Sequence, residues 1–170
     1  MAENAKIVVN VADLPLDHSS KGSRFACATG EIGQTLGLDV LGAMLHVVPA
    51  GKTAFPMHRH HVSDEMFFVL EGAGEYRTDK GTFPIKPGDC LGAPAGGIAH
   101  QIINTGANDL KYIGFSNNTN AEVVEYTDTG TLLVAAGPKG IWYGDSTYKV
   151  RTGIAERGYW DGEDIGDDDE

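Results

Sequence analysis

Glycine and proline punctuate this chain at short intervals, and that spacing limits what it can fold into. Gly72 and Gly74, Pro87-Gly88, Pro94-x-Gly96-Gly97 and Gly137-Pro138 interrupt its apolar segments. The 23 glycines in 170 residues stand well above the usual share of about 7%. Between the breaks lie short runs rich in aliphatic, aromatic and β-branched side chains, at 38–48, 65–70, 74–78, 82–85, 90–93, 99–104 and 110–116. None of them repeats with the period of a helix, so the pattern predicts many short strands joined by tight turns. Asp79-Lys80-Gly81 is a hairpin-turn signal, and 105–109 (Thr-Gly-Ala-Asn-Asp) is another turn. The length suits one domain with a real core.

The flanks are less regular. Residues 1–35 read as an N-terminal extension in which Ile7-Val8-Val9 resembles a strand and 17–24 resembles a loop. The β-rich domain occupies 36–118. Residues 119–160 form a C-terminal extension with short strands expected at 123–126, 131–135 and 141–143. Trp142, Tyr143, Tyr148, Tyr159 and Trp160 are large rings, expected to pack on the domain or on a partner subunit. Residues 161–170 read as a mobile acidic tail.

Charge narrows the partners. The formal net charge is −11, and residues 161–170 supply seven acids and no base. No basic stripe is present to neutralise phosphates, so nucleic acid is not expected as a partner. No apolar run reaches the roughly 20 residues of a membrane-spanning helix. The first residues lack the basic and apolar regions of a secretory signal, and a cytoplasmic location is expected. Cys27 and Cys90 form no C-x-x-C pair and read as reduced thiols.

One group of residues carries chemistry. On a strand, positions two apart share a face, so His58 and His60 point one way while Arg59 and His61 point the other. Glu65 opens the next apolar run, and His100 begins another. Three imidazoles and one carboxylate on adjacent strands can converge inside a barrel. Such a donor set suits one divalent transition metal, Fe, Mn, Ni, Zn or Cu, better than calcium or magnesium. His18 and His46 have no comparable companions and read as ordinary residues.

The frame around the four is more specific than the four themselves. Gly51 precedes His58-x-His60 by six residues. Four residues then lead to Glu65, and six more to Gly72. Gly88 is followed after five residues by Pro94-x-Gly96, then by His100, three residues, and Asn104. Over 51–104 the chain resembles the cupin superfamily, whose motifs run G-x5-H-x-H-x3/4-E-x6-G and G-x5-P-x-G-x2-H-x3-N. It departs by one extra residue before His58 and one between Gly96 and His100. Reading Gly97 as the motif glycine removes the second departure. The resemblance implies an all-β, double-stranded β-helix (jelly-roll) barrel and maps the family's metal ligands onto His58, His60, Glu65 and His100. Residues 65–104, with Glu125-Tyr126-x-Asp128 and the late 159–163 element, further resemble a group of single-domain bacterial cupins. Its members are described mostly as uncharacterised and sometimes as sugar-phosphate isomerases.

These readings imply a metal-dependent enzyme acting on a small oxygenated molecule, isomerase-like or dioxygenase-like. The alternative is a non-catalytic module that binds or senses a small ligand. An isomerase of phosphorylated sugars needs a cationic grip, yet Lys52, Arg59, Arg77 and Lys86 read as surface charges. A dioxygenase needs only an apolar lining, for which Phe67, Val69, Leu91, Ala93 and Ile102, with Asn104, are the candidates. A homodimer is expected, since small cupin barrels commonly pair.

Overall fold

The computed structural model describes residues 5–137, 147–159 and 161–162. Thirteen strands run through these residues, and the only helical element among them is one 3₁₀ turn, Val11–Asp13. The strands are β1 (Asp17–Lys21), β2 (Phe25–Glu31), β3 (Leu41–Val48), β4 (Arg59–His60), β5 (Glu65–Glu71), β6 (Gly74–Thr78) and β7 (Gly81–Ile85). They continue as β8 (Cys90–Ala93), β9 (His100–Ile103), β10 (Leu110–Asn117), β11 (Ala121–Tyr126), β12 (Thr131–Ala136) and β13 (Tyr148–Gly153).

Six strands form one antiparallel sheet in the order β1-β2-β3-β10-β5-β8. Opposite it lie a four-stranded sheet, β13-β12-β11-β4, and a three-stranded one, β7-β6-β9. An isolated antiparallel bridge between His58 and His100 joins these two smaller sheets. The result is the all-β, double-stranded β-helix.

Period-two alternation explains why these residues are strands. In β10, Leu110 and Tyr112 point inward and are fully buried, while Lys111 and Ile113 point outward. In β5, Phe67 and Val69 point inward while Met66 and Phe68 are exposed. Inside the barrel Val48, Phe67, Val69, Tyr76, Leu91, Ile102, Leu110 and Tyr112 form one apolar core. Each large side chain buried there contributes about 1.5–3 kcal/mol. The turns match their chemistry. Asp79-Lys80 forms the two-residue loop between β6 and β7. Gly72 has φ +83°, and a Cβ there would meet the Asp109 carbonyl at 2.4 Å, so only glycine fits.

Two expectations for the N-terminal part fail. Asp17–Lys21 is a strand, not a loop. All five residues are exposed, so the segment carries no apolar alternation, and it is held by backbone pairing with β2. Ile7 and Val8 form no strand and are exposed, while Val9 and Val11 pack with Leu14 on the outer side of β3 and β10. In the C-terminal part, β11 and β12 form as expected. Tyr148 and Tyr159 are exposed on this chain. The strand expected at 141–143, Trp142, Tyr143, Trp160 and the tail beyond residue 162 lie outside the described residues.

Candidate metal centre

The candidate site forms where the two smaller sheets meet the large one. His58 and His100 face each other across the bridge between the small sheets, with ring centroids 4.5 Å apart. His60 is in β4, paired with Val124 of β11. Glu65 opens β5 in the opposite sheet, between Ala93 of β8 and Ser116 of β10. The loop after β8 braces β4, for the Gly96 N–H donates to the His60 carbonyl at 2.8 Å.

These elements bring the four side chains together. His58, Glu65 and His100 present ligand atoms that all lie within 4.8 Å of one another. His60 joins through Glu65, its Nε2 lying 3.4 Å from Glu65 Oε2. The same carboxylate oxygen is 3.1 Å from His100 Nε2. Glu65 Oε2 and His100 Nε2 are both buried, and at 3.1 Å from each other neither makes a well-aligned hydrogen bond. Buried polar atoms are ordinarily satisfied. A divalent cation would satisfy both, and imidazole nitrogens with a carboxylate oxygen suit a transition metal. The residues therefore fit the metal that their pattern implies.

Electrostatics differ among the four: burial would lower the His60 imidazole, but Glu122 and Glu65 beside it raise it above its ordinary value. Burial pushes the His58 imidazole down to about 4, helped by the nearby His100. Burial would raise the Glu65 carboxyl, but His100, His60 and His58 around it bring it below its ordinary value. A neutral imidazole beside an ionised carboxylate is the form in which both donate to a metal.

The site opens on a cavity of about 430 Å³. Its wall carries His46, Phe55, Phe67, Tyr112, Phe115 and Tyr126 as rings, with Met44, Ile102 and Val124 between them.

Residues 44–116 match the family described as the Cupin domain. Auxin-binding protein 1 of Arabidopsis thaliana is 30% identical over 155 residues, covering 82% of this chain and 73% of that protein. The chain belongs to the cupin family. An oxalate-binding protein of Thermotoga maritima is 32% identical over 66 residues, covering 39% of this cupin and 53% of that protein. This cupin spans about half the length of two of the curated relatives it matches. Among solved structures, a cupin-superfamily sugar phosphate isomerase from Silicibacter pomeroyi superposes with a TM-score of 0.72 at 23% identity. The superposition covers 85% of this chain and 91% of that one, a likeness of fold.

The cupin barrel distributes the remaining site candidates unevenly. Phe67 and Ile102 stand on the cavity wall. Val69, Leu91 and Ala93 lie in the apolar core. Asn104 is at the end of β9, where its side chain ties the β9–β10 connection. Its Nδ2 donates to the Val48 and Asn108 carbonyls at 2.7 and 2.8 Å, and its Oδ1 accepts from the Gly106 N–H at 2.9 Å.

Sequence reasoning passed over two residues. His46 stacks on Tyr112 at 4.7 Å, stands edge-on to Phe55 at 5.7 Å, and lines the cavity. Burial pushes it down to about 4, so it is neutral near pH 7. Its parity with Val48 on β3 was the available signal. Glu122, in β11, is fully buried, and its Oε2 lies 3.2 Å from His60 Nδ1. Nothing in the local sequence marks it.

Proposed function

We propose that this cupin is a metal-dependent enzyme acting on a small oxygenated molecule with an apolar body, and that its chemistry is closer to a dioxygenase than to a sugar-phosphate isomerase. His58, His60, Glu65 and His100 would hold the ion. Bound there, a divalent transition metal would supply Lewis acidity toward a substrate oxygen. The ring-lined cavity would hold the apolar body of the substrate and exclude water around it.

The carrying observation is the composition of that wall. Among its described residues none is lysine or arginine. Arg151, 3.8 Å from the centroid of the cavity-lining Tyr126 ring, donates to Thr131 and Thr129, and the four basic side chains singled out in the sequence are engaged elsewhere. Arg59 pairs with Glu125 and Asp79, Arg77 with Asp128, and Lys86 with Asp89, while the Lys52 ammonium donates to the Ser23 carbonyl. Among the described residues, a phosphorylated sugar would meet no lysine or arginine on the cavity wall.

A second reading is a non-catalytic binding module. It is favoured by relatives whose names specify binding of auxin and of oxalate. The two free cysteines accord with a cytoplasmic setting. Met66 and Phe68, exposed side by side on the outer face of β5, and β13, exposed along its whole length, favour a homodimer, which light scattering would test.

The test is to quantify metal by mass spectrometry after gentle purification, then to follow oxygen uptake with catechols and 1,3-diketones and isomerisation of sugar phosphates. Stoichiometric metal with oxygen uptake is expected. Isomerisation of a sugar phosphate would favour the isomerase-like chemistry instead. Metal without turnover across the panels would favour the binding module, and protein without metal would sink every metal-centred reading.

A further inference from the structure

Glu122 is an acid with no solvent. It is 1% exposed and its two oxygens accept four hydrogen bonds. Oε1 takes the backbone N–H groups of Val62 and Val123 at 3.0 and 2.8 Å. Oε2 takes the Ser63 N–H at 2.9 Å and lies 3.2 Å from His60 Nδ1. Three backbone donors, two of them from the turn between His60 and Glu65, fix the carboxylate whatever His60 does. An ionised carboxylate can only accept. Its oxygen therefore calls for a proton on His60 Nδ1, which leaves Nε2 as the nitrogen facing Glu65. His58 shows the same polarity by another route, its Nδ1 lying 2.7 Å from the Pro56 carbonyl, also a pure acceptor.

We infer that Glu122 is a positioning residue that holds neutral His60 in the Nδ1–H tautomer and so turns the unprotonated Nε2 inward as a metal-binding nitrogen. The second half of this inference rests on the metal-dependent reading above. The first half does not.

Substitution by glutamine separates this role from a purely structural one. Glu122→Gln keeps the shape, and the amide oxygen can still accept from Val62 and Val123. The amide N–H₂ then stands where Oε2 was and faces the Ser63 N–H as well as Nδ1, and a donor beside Nδ1 calls for the opposite tautomer. His60 becomes Nε2–H, with a proton on the nitrogen that should bind metal. Loss of such a supporting partner typically lowers metal affinity by about 10–100-fold.

The experiment uses the full chain with ¹⁵N-labelled histidine, metal-free, at about pH 9 where imidazole is neutral. Ring ¹⁵N shifts should report Nδ1–H for His60 in the wild type and Nε2–H in Glu122→Gln. Zinc affinity by chelator competition should fall by about 10–100-fold in the variant. His60 found as Nε2–H in the wild type would overturn the inference, and this reading stands even if the variant does not fold. Wild-type protein that takes up no zinc would defeat the metal-dependent function, while the wild-type tautomer would still decide the role of Glu122.

Discussion

His58 and His100 are cross-strand partners, each donating its backbone N–H to the other's carbonyl at 3.1 and 2.7 Å. The two imidazoles thus meet because the main chain pairs, not because the side chains attract. Removing one ring leaves the bridge in place. His58→Ala and Glu65→Ala are therefore expected to abolish metal retention while changing unfolding free energy by no more than about 3 kcal/mol. Metal per chain by mass spectrometry, read beside far-ultraviolet circular dichroism, checks this. Metal content that survives either substitution would show the ligand assignment to be wrong.

Gly114 makes room for His46. A Cβ at Gly114 would lie 3.0 Å from His46 Cε1 and 3.3 Å from Phe67 Cδ1. His46 is held between Tyr112 and Phe55 and cannot simply swing away. Overpacking of this kind costs about 1–3 kcal/mol. Replacing glycine within a strand returns up to about 1 kcal/mol. Gly114→Ala should therefore destabilise the barrel by about 1 kcal/mol in urea unfolding. Undiminished stability would show that the His46 ring is not pinned.

Arg77 donates to both oxygens of Asp128 at 2.8 Å, and these hydrogen bonds hold the Asp128 carboxyl below its ordinary 3.8. A depressed carboxylate stabilises the fold above its unfolded value and loses that contribution as pH falls through the folded one. Both side chains are well exposed, at 38% and 50%, so the pair is screened and worth no more than about 1 kcal/mol. Asp128→Asn should cost at most about 1 kcal/mol at pH 7 and low salt, and the difference from wild type should shrink below 3.8 and in high salt. Urea unfolding across that range measures it. A difference that grows toward low pH would contradict the assigned sign.

The two thiols should differ sharply. Cys27 is buried in the barrel core, and burial pushes its thiol up to about 11, whereas Cys90 is exposed. Iodoacetamide at about pH 8 should label one cysteine per native chain, and peptide mapping should find the label on Cys90. Labelling of Cys27 at a comparable rate would mean that the barrel opens readily around β2.

Much of this was legible in sequence. The strands β5 to β10 were readable because turn chemistry and period-two alternation are local signals. β1 was not, since an exposed edge strand such as Asp17–Lys21 needs only backbone partners and carries no apolar pattern. The shared facing of His58 and His60 follows from strand parity, and their rings do lie close, with centroids 5.1 Å apart. The cavity wall was less readable. Val69 has the same parity as Phe67, yet only Phe67 reaches the cavity, because depth along the barrel axis is not encoded in alternation.

The sequence by itself determined the strand-and-turn rhythm, the inward faces and the spacing of the histidine motif, all of which depend on neighbours a few residues away. Only the tertiary structure decided that His46 faces the cavity and that Glu122 stands behind His60. That last contact joins residues 62 positions apart. Its existence depends on β11 folding back over β4, a long-range pairing to which no local preference points.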